Sequence, residues 1–521
     1  MAERRHFPEL RTLPAVAAAH AERQPGVPAI ICAGRSLDYG GLHRESDRIA
    51  AAMVADGLNP GDRVAYLGQE SVEYYATLFA CAKAGIVLVP INFRLAAPEV
   101  EHILRDSGSA LLIVDADLRA AIEPVAAELS GLRVRAAAAA DFAAWTAGQS
   151  DVDPVLAAGH EDPVVQLYTS GTTGLPKGVV LAQRSFFAIR DQLAGAGLDW
   201  IDWQAGDRSL IGIPGFHVGG VWWSTQGFAA GITNVAMPRF DPTGALALIT
   251  ELGVTTVCVV PSMLRLLLVE PGADKAAFAT VRKIVYGGSP ISETLLTESL
   301  PVFDCDFAQI YGLTETGNTA VCLPPADHVP GSPRLRAAGR PYPGVDCEIS
   351  DENGKPLGPG EIGEVCLRTP ARMMEYWGLP EATAATLVDG WVHTGDAGYR
   401  DEDGYLYIHD RIKDMIIVGG ENVYPNEIEN VLTKHPGVAD AAVIGVPDDA
   451  FGEAVYAFVA PRPGAEVRPR DLLRFCQGRL AGFKIPSRFE LVEKVPRNPS
   501  GKVLRRELRD RFWAARDRKV N

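Results

Sequence analysis

No stretch of the chain approaches the roughly 18 uninterrupted apolar residues of a membrane-spanning helix, and the opening MAERRHFPELRTLP carries charge but no apolar h-region. Neither a membrane span nor a secretory signal is expected. Positive charge is also short: 50 Lys and Arg stand against 65 Asp and Glu, a net charge of −15. That balance repels a phosphate backbone and leaves a nucleic-acid role without electrostatic support, so any polyanionic ligand must be met by a local site. Paired cysteines are missing as well. The eight cysteines (Cys32, Cys81, Cys258, Cys305, Cys322, Cys347, Cys366 and Cys476) form no C-x-x-C and mostly sit among apolar neighbours, which points to reduced core thiols in a cytoplasmic protein. Internal repeats and a long low-complexity tail are absent too. What is present is globular material: 521 residues, 47% hydrophobic and 22% charged. That is enough apolar side chain for a large core, and at roughly 150 residues per domain for about three to four folding units.

From Ala29 to about Val259, apolar or β-branched runs such as Arg63–Leu67, Val87–Val89, Ala110–Val114, Val164–Leu167, Leu210–Ile213 and Thr255–Val260 alternate with segments of helical period. Gly41–Ala55, Glu73–Ala84, Pro98–Asp106, Arg184–Ala194 and Pro242–Leu252 are the clearest of these. Strand then helix, repeated, predicts an α/β fold with parallel-type sheets under covering helices. Ala136–Ala140 reads as a surface connection. From 339 to 411 the texture changes to short strands and turn sequences (Asp351-Glu-Asn-Gly354, Gly358-Pro-Gly360, Asp401-Glu-Asp-Gly404), which predicts an antiparallel, β-barrel-like unit. Beyond it the pattern is α+β, with helices near Pro425–Lys434 and Pro469–Leu480, strands near Val438–Val446 and Val455–Val459, and a last helix after Lys502. Residues 414–521 hold 18 Lys and Arg against 15 Asp and Glu, so a slightly basic unit follows an acidic body. The expected division is a large N-terminal domain, 1–412, and a small mobile α+β C-terminal domain, 413–521.

The buried-strand run Val164-Val-Gln-Leu-Tyr168 leads directly into Thr169-Ser-Gly-Thr-Thr-Gly-Leu-Pro-Lys-Gly178. Glycines there permit a tight backbone, hydroxyls and exposed N–H groups can line an anion, and Lys177 adds a point charge. Polyphosphate is the ligand such a loop suits, although a solvent-exposed Gly/Ser/Thr turn has the same composition. It is not a Walker A loop, because G-x-x-x-x-G-K-[ST] is missing and Gly178 follows the lysine.

The loop is accompanied. Tyr168–Gly178 closely resembles the signature of the adenylate-forming superfamily, which contains acyl-CoA synthetases, peptide-synthetase adenylation domains and firefly luciferases. Further blocks resemble that family's in the right order: Phe216-His-Val-Gly-Gly220, Tyr286-Gly-Gly-Ser289, Tyr311-Gly-Leu-Thr-Glu-Thr316, His393-Thr-Gly-Asp396, the segment from Asp410-Arg-Ile-Lys to Tyr424-Pro425, and Pro496-Arg-Asn-Pro-Ser-Gly-Lys502. Together they span nearly the whole chain.

The resemblance implies two steps: a carboxylate and MgATP give an acyl-adenylate and pyrophosphate, and a thiol then displaces AMP. Both reactants of the first step are anions, so cations and oriented donors are required at the α-phosphorus. By the resemblance, Thr169, Ser170, Gly171, Thr172, Thr173, Gly174 and Lys177 would hold the β- and γ-phosphates. Tyr311, with Gly287 and Gly288, would receive adenine, and Ser289 and Gly312 would also bind the nucleotide. Thr314 would contact the α-phosphate, and Glu315 would bind Mg²⁺, for which one carboxylate suffices. Asp396 and Arg411 would hold the ribose. Lys502, at a loop tip after Pro499-Ser-Gly501, would bridge the substrate carboxylate and the α-phosphate, with Arg497 as a supporting cation. Lys413 would be the hinge by which Lys502 leaves and Gly419, Gly420 and Glu421 enter to line the path of the pantetheine thiol. His217 would lie beside the acyl pocket and gate the thiol's entry. Each of these side chains also has a plain structural reading: turn residue, core histidine or surface ion pair.

Amino-acid-activating relatives place an Asp near the start of the Phe216-His217-Val218 block, and none stands here. A non-amino, apolar acid is therefore expected, in a pocket lined by His217, Val218, Gly219, Met263, Gly312 and Thr316. Trp222 and Trp223 fall on a predicted helix, and only one of them, Trp222, is expected to face that pocket, with core packing as the alternative. The expected function is an AMP-forming acid–CoA ligase using ATP, Mg²⁺ and coenzyme A. The alternatives are a stand-alone enzyme loading a carrier protein and a homologue performing one half-reaction. A homodimer is among the expected partners, and no fused carrier domain is expected after the last helix.

Overall fold

The computed structural model describes residues 4–151, 158–169, 175–198, 200–289, 291–419, 421–448, 451–498 and 501–513. Among them, four sheets organise the chain. In a seven-stranded sheet, Pro163–Thr169, Val87–Ile91, Arg63–Leu67, Leu111–Val114 and Arg133–Ala136 run parallel in that order, and Lys177–Ala182 returns antiparallel beside Pro163–Thr169. In a nine-stranded sheet the parallel order is Asp306–Tyr311, Lys283–Gly287, Thr256–Val259, Arg208–Ile211, Thr233–Ala236 and Pro28–Cys32. Runs of Val, Ile and Leu such as Val87–Ile91 and Leu111–Val114 are buried throughout, as strands covered on both faces must be.

The helices between these sheets have no polar side. Every residue of Val72–Lys83 and of Val218–Ala230 is buried, because neither carries a stripe that could face water. The two charges in Val72–Lys83 are met locally: Glu73 by Arg35 and Lys83 by Asp47. One apolar cluster joins these helices to both sheets. No helix of the described residues is long and apolar enough to cross a membrane.

The barrel-like unit is a five-stranded sheet of Asp346–Ser350, Gly363–Arg368, Trp391–Arg400, Leu387–Val388 and Leu406–Arg411, with antiparallel pairings. Its core includes Val365, Leu367 and Leu406, together with Ile189 and Leu193 of the helix Arg184–Gly195. The C-terminal α+β domain has its own sheet, in which Val438–Asp448 and Gly452–Pro461 form the long central pair. Helices Pro425–Leu432 and Pro469–Cys476 supply core residues to one apolar cluster, whereas Arg505–Trp513 packs Leu508 and Phe512 into another.

Two sequence expectations shift. Ala136–Ala140 is not a plain connection, since it holds the end of the strand Arg133–Ala136 and the start of the helix Ala139–Trp145. The helix expected to reach Leu480 stops at Cys476, because Gln477 takes ψ 133 and Gly478 a φ of +74.

Candidate active site

The hairpin of the barrel-like unit aligns Asp396 and Arg411 as cross-strand partners. Arg411 Nε lies 2.7 Å from Asp396 Oδ1, and the Tyr311 hydroxyl donates to Oδ2 at 2.7 Å. Tyr311 ends a strand of the nine-stranded sheet, so one carboxylate joins two sheets. Asp396 is 6% exposed. Burial opposes the charge of Arg411, yet Asp396 foremost, and also Tyr311 and Glu315, hold its pKa above the ordinary value. Asp396 thus touches the guanidinium, and Glu315 acts on it through charge.

Glu315 sits in the 3₁₀ turn Thr314–Thr316. Thr316 is fully buried and spends its hydroxyl on that turn, accepting from Leu313 N at 2.8 Å and donating to Leu313 O at 3.0 Å. The Tyr376 hydroxyl donates to Glu315 Oε1 at 2.7 Å. Lys177 Nζ stands 5.0 Å from the centre of the Tyr376 ring, within cation–π range. Lys177 pairs across the sheet with Thr169, so these two residues hold the ends of the hydroxyl-rich loop together. Ser170, Gly171, Thr172, Thr173 and Gly174 lie outside the described residues, as does Gly420. Gly287 ends its strand against Ile310, whose carbonyl a Cβ there would strike. Gly288 and Ser289 follow it, and Gly312 packs equally closely on the Asn318 carbonyl.

His217 caps the buried helix Val218–Ala230, its Nδ1 accepting from Gly219 N at 3.2 Å. Burial, and then the charge of Lys502, push its pKa down to about 4, so the imidazole is neutral near pH 7. The preceding turn is held by the Tyr74 hydroxyl, donating to Gly215 O at 2.8 Å, and by Glu70, accepting from Gly215 N at 2.5 Å. Val218 and Met263 are buried close to solvent-excluded core, Met263 on the helix Pro261–Leu268. Trp222 and Trp223 are both buried. Trp223 donates to Ser209 Oγ at 2.7 Å and packs on Trp203, so it belongs to the core.

Lys502 arrives from the C-terminal domain. Arg497 pairs with Asp440 through both carboxylate oxygens, at 3.0 and 2.8 Å, and donates to Gly501 O at 2.7 Å. Asn498 closes the turn by accepting from Lys502 N at 2.8 Å and donating its own N–H to Lys502 O at 2.8 Å. Gly501 has a φ of +79, and a Cβ on it would lie 2.7 Å from Ser262 Oγ, so this loop is seated on the N-terminal domain. Arg411 first, then burial and Lys413, push the Lys502 pKa down to about 8 against the opposing pull of Asp396. The side chain keeps access to water, and the neighbouring cation is the weightier cause.

The profile of the AMP-binding enzymes matches residues 17–377, and that of the AMP-binding enzyme C-terminal domain matches residues 427–502. The chain belongs to the adenylate-forming family of AMP-binding enzymes. A fatty acid–[acyl-carrier-protein] ligase, ScoC, of Streptomyces coeruleorubidus is 62% identical over 520 residues, 100% of either chain. A feruloyl-CoA synthase of Amycolatopsis sp is 38% identical over 503 residues, 94% of this chain and 97% of the relative. The crystal structure of ATP-bound MatB from Rhodopseudomonas palustris is 32% identical and superposes over 96% of this chain and 99% of that one, with a TM-score of 0.88.

In this AMP-binding enzyme, residues named from five separate blocks thus come together. Tyr311, Glu315, Asp396, Arg411 and Lys502 interact directly or through charge, and His217 adjoins Lys502. Gly419 and Glu421 lie apart from them on the hairpin of Ile416–Val418 and Glu421–Val423, Gly419 donating to Phe451 O. Lys413 lies in the turn Ile412–Asp414, where its carbonyl accepts from Arg509 at 3.2 Å. Sequence reasoning does not find Tyr376, Glu70 or Tyr74, since each acts on a partner far along the chain and none stands in a recognisable block; Ser262, expected only at the acyl pocket, also lies against Gly501.

Proposed function

We propose that this enzyme adenylates an apolar carboxylic acid with MgATP and passes the acyl group to a pantetheine thiol. The observation that carries the reading is that Lys502, from one domain, comes within charge range of Asp396 and Arg411 of the other. In the first step a carboxylate oxygen bonds to the α-phosphorus and the bond to the pyrophosphate oxygen breaks. Lys502 and Arg411 offset the charge gathered there, in a geometry set before the reaction begins. Asp396 accepts from the ribose hydroxyls, while Tyr311 and Arg411 hold its orientation and Tyr311 presents its ring to adenine. Thr314 and Lys177 bind phosphate oxygens with the loop from Thr169. Magnesium comes with the nucleotide. Glu315 fits it, because Tyr376 occupies Oε1 and Oε2 takes no hydrogen bond among the described residues; one carboxylate oxygen with phosphate oxygens and water is the donor set that Mg²⁺ prefers.

In the second step the thiol adds to the acyl carbonyl and AMP leaves. We take Lys413 as the hinge between residues 1–412 and 413–521, with Gly419 and Glu421 replacing Lys502 after adenylation. His217, neutral and at the head of a buried helix, shapes the acyl end of the site with Val218, Gly219 and Met263. Absence of an acidic residue at 216–218 supports an acid without an α-amine. As acceptor we favour a carrier-protein thiol over free CoA. The full-length relative at 62% identity, named for an acyl-carrier-protein acceptor, supports this reading, while the relatives at 38% named for CoA support CoA as the second reading.

The test is a panel of fatty, alicyclic and aromatic acids assayed for ATP–pyrophosphate exchange, followed by thioester formation with holo carrier protein and CoA in competition. Exchange with an apolar acid and preferential loading of the carrier are expected. Absence of exchange with every acid would overturn adenylation, and exclusive CoA loading would overturn the choice of acceptor.

A further inference from the structure

Three unlike donors meet on the antiparallel sheet behind Asp396. Glu364 and Cys366 stand on one face of the strand Gly363–Arg368, and His393 is the register partner of Cys366 on Trp391–Arg400. Cys366 Sγ lies 3.5 Å from His393 Nδ1, and Glu364 Oε2 lies 2.9 Å from the same nitrogen. One ligand atom from each residue lies within 4.8 Å of the other two. Cys366 is buried, while the side chains of His393 and Glu364 are 29% and 25% exposed, which leaves an entry path and room for a fourth, solvent-derived ligand.

We propose that Glu364, Cys366 and His393 form a binding site for Zn²⁺ whose occupancy inhibits adenylation. A tetrahedral Zn²⁺ with sulfur at about 2.3 Å and nitrogen near 2.05 Å holds those two atoms about 3.6 Å apart, and nitrogen and carboxylate oxygen about 3.4 Å apart. The sulfur–nitrogen pair already stands at 3.5 Å, and the carboxylate oxygen, at 2.9 Å, has to withdraw only slightly. Binding forms one bond from each donor to the ion, releases the Cys366 thiol proton to water and leaves the neutral His393 ring with its proton on Nε2. A thiolate–imidazole–carboxylate set suits a borderline-soft cation and not Mg²⁺, which takes oxygen donors. The site is therefore chemically distinct from Glu315.

The route to inhibition runs through Glu364. Its Oε1 accepts from Gly395 N at 2.9 Å, the residue before Asp396. Drawing the carboxylate toward an ion loosens that bond and the approach of Asp396 to the nucleotide. This consequence rests on the ribose-binding reading of Asp396; the binding itself does not.

The full-length enzyme is titrated with Zn²⁺ against a chromogenic chelator, and separately with Co²⁺ while a thiolate-to-cobalt charge-transfer band is followed. One equivalent of tightly held Zn²⁺ is expected, at least tenfold weaker in Cys366→Ser, and the band is expected in the wild type and absent in the variant. Cys366→Ala gives the same comparison should the serine variant fold poorly. Equal Zn²⁺ affinity in wild type and variants, or a wild type without the band, overturns the site. In ATP–pyrophosphate exchange, Zn²⁺ should inhibit the wild type at concentrations at least tenfold below those needed for Cys366→Ser, reversibly with EDTA. Equal sensitivity overturns the inhibitory role. An enzyme that exchanges with no acid would instead overturn the proposed function and leave the chelator and cobalt results standing.

Discussion

Lys502 holds a charge that its surroundings oppose. With Arg411 pressing its pKa down to about 8, the ammonium form, which the proposed role requires beside two anions, drains away as pH rises through that value. The adenylation kcat/KM should therefore fall above about pH 8 with a slope approaching one decade per pH unit, and the limb should vanish in Lys502→Arg, whose charge does not titrate there. Bound nucleotide adds negative charge, so the limb in kcat should move to higher pH. Initial-rate pyrophosphate exchange from pH 6 to 9.5 measures both; an unchanged limb in the arginine variant would remove Lys502 from this role. Tyr376 makes a second test at this scale. Tyr376→Phe keeps the ring near Lys177 but removes the donor to Glu315 Oε1. A hydrogen bond to a charged group is worth about 1.5–3 kcal/mol, so kcat/KM for MgATP should drop about tenfold or more with little change in melting temperature. The loop around Lys502 could be read in the sequence because Pro499, Ser500 and Gly501 mark a turn before the lysine, and its role was implied by the family resemblance. Tyr376 could not, since it reaches Glu315 across 61 positions and belongs to a strand of only two residues.

At the level of elements, alternation of apolar runs and helical periods was enough to anticipate the parallel sheets, because a strand buried on both faces must be apolar at every position. The hairpin that carries Asp396 and Arg411 was legible in its turn, Asp401-Glu-Asp-Gly404, but not in its register: a bulge between Ala397 and Gly398 shifts the pairing, and no spacing rule reports a bulge. The loop that delivers Lys502 is similar. Its glycine was visible, but its seat on Ser262 was not. Gly501→Ala should meet two penalties, a left-handed backbone costing roughly 1–2 kcal/mol and the collision with Ser262 Oγ at 2.7 Å. Adenylation is expected to fall at least tenfold while thioester formation from supplied acyl-adenylate persists. Adding Ser262→Ala should restore the steric share and leave the backbone share. If the double variant is no better than Gly501→Ala, the contact is not what seats the loop.

For the whole molecule, the two proposed half-reactions would need opposite things of the interface between domains: it would hold Lys502 in place for adenylation and then let it go. Ion pairs at that interface fit such a demand. Lys434 meets Glu293 at 2.9 Å and Arg462 meets Glu298 at 3.2 Å, all four side chains being partly exposed. Exposed pairs contribute about 0.2–1 kcal/mol each and weaken with salt, so they bias an orientation without locking it. Replacing Lys434 and Arg462 with Gln should lower adenylation several-fold, leave conversion of supplied acyl-adenylate unchanged or faster, and flatten the salt dependence of the first step. Lys502→Ala belongs beside it as a control, since it should abolish most adenylation at every salt concentration and spare the second step. Should the Gln variant slow both half-reactions equally, the pairs would be supporting the fold of a single arrangement and not choosing between two.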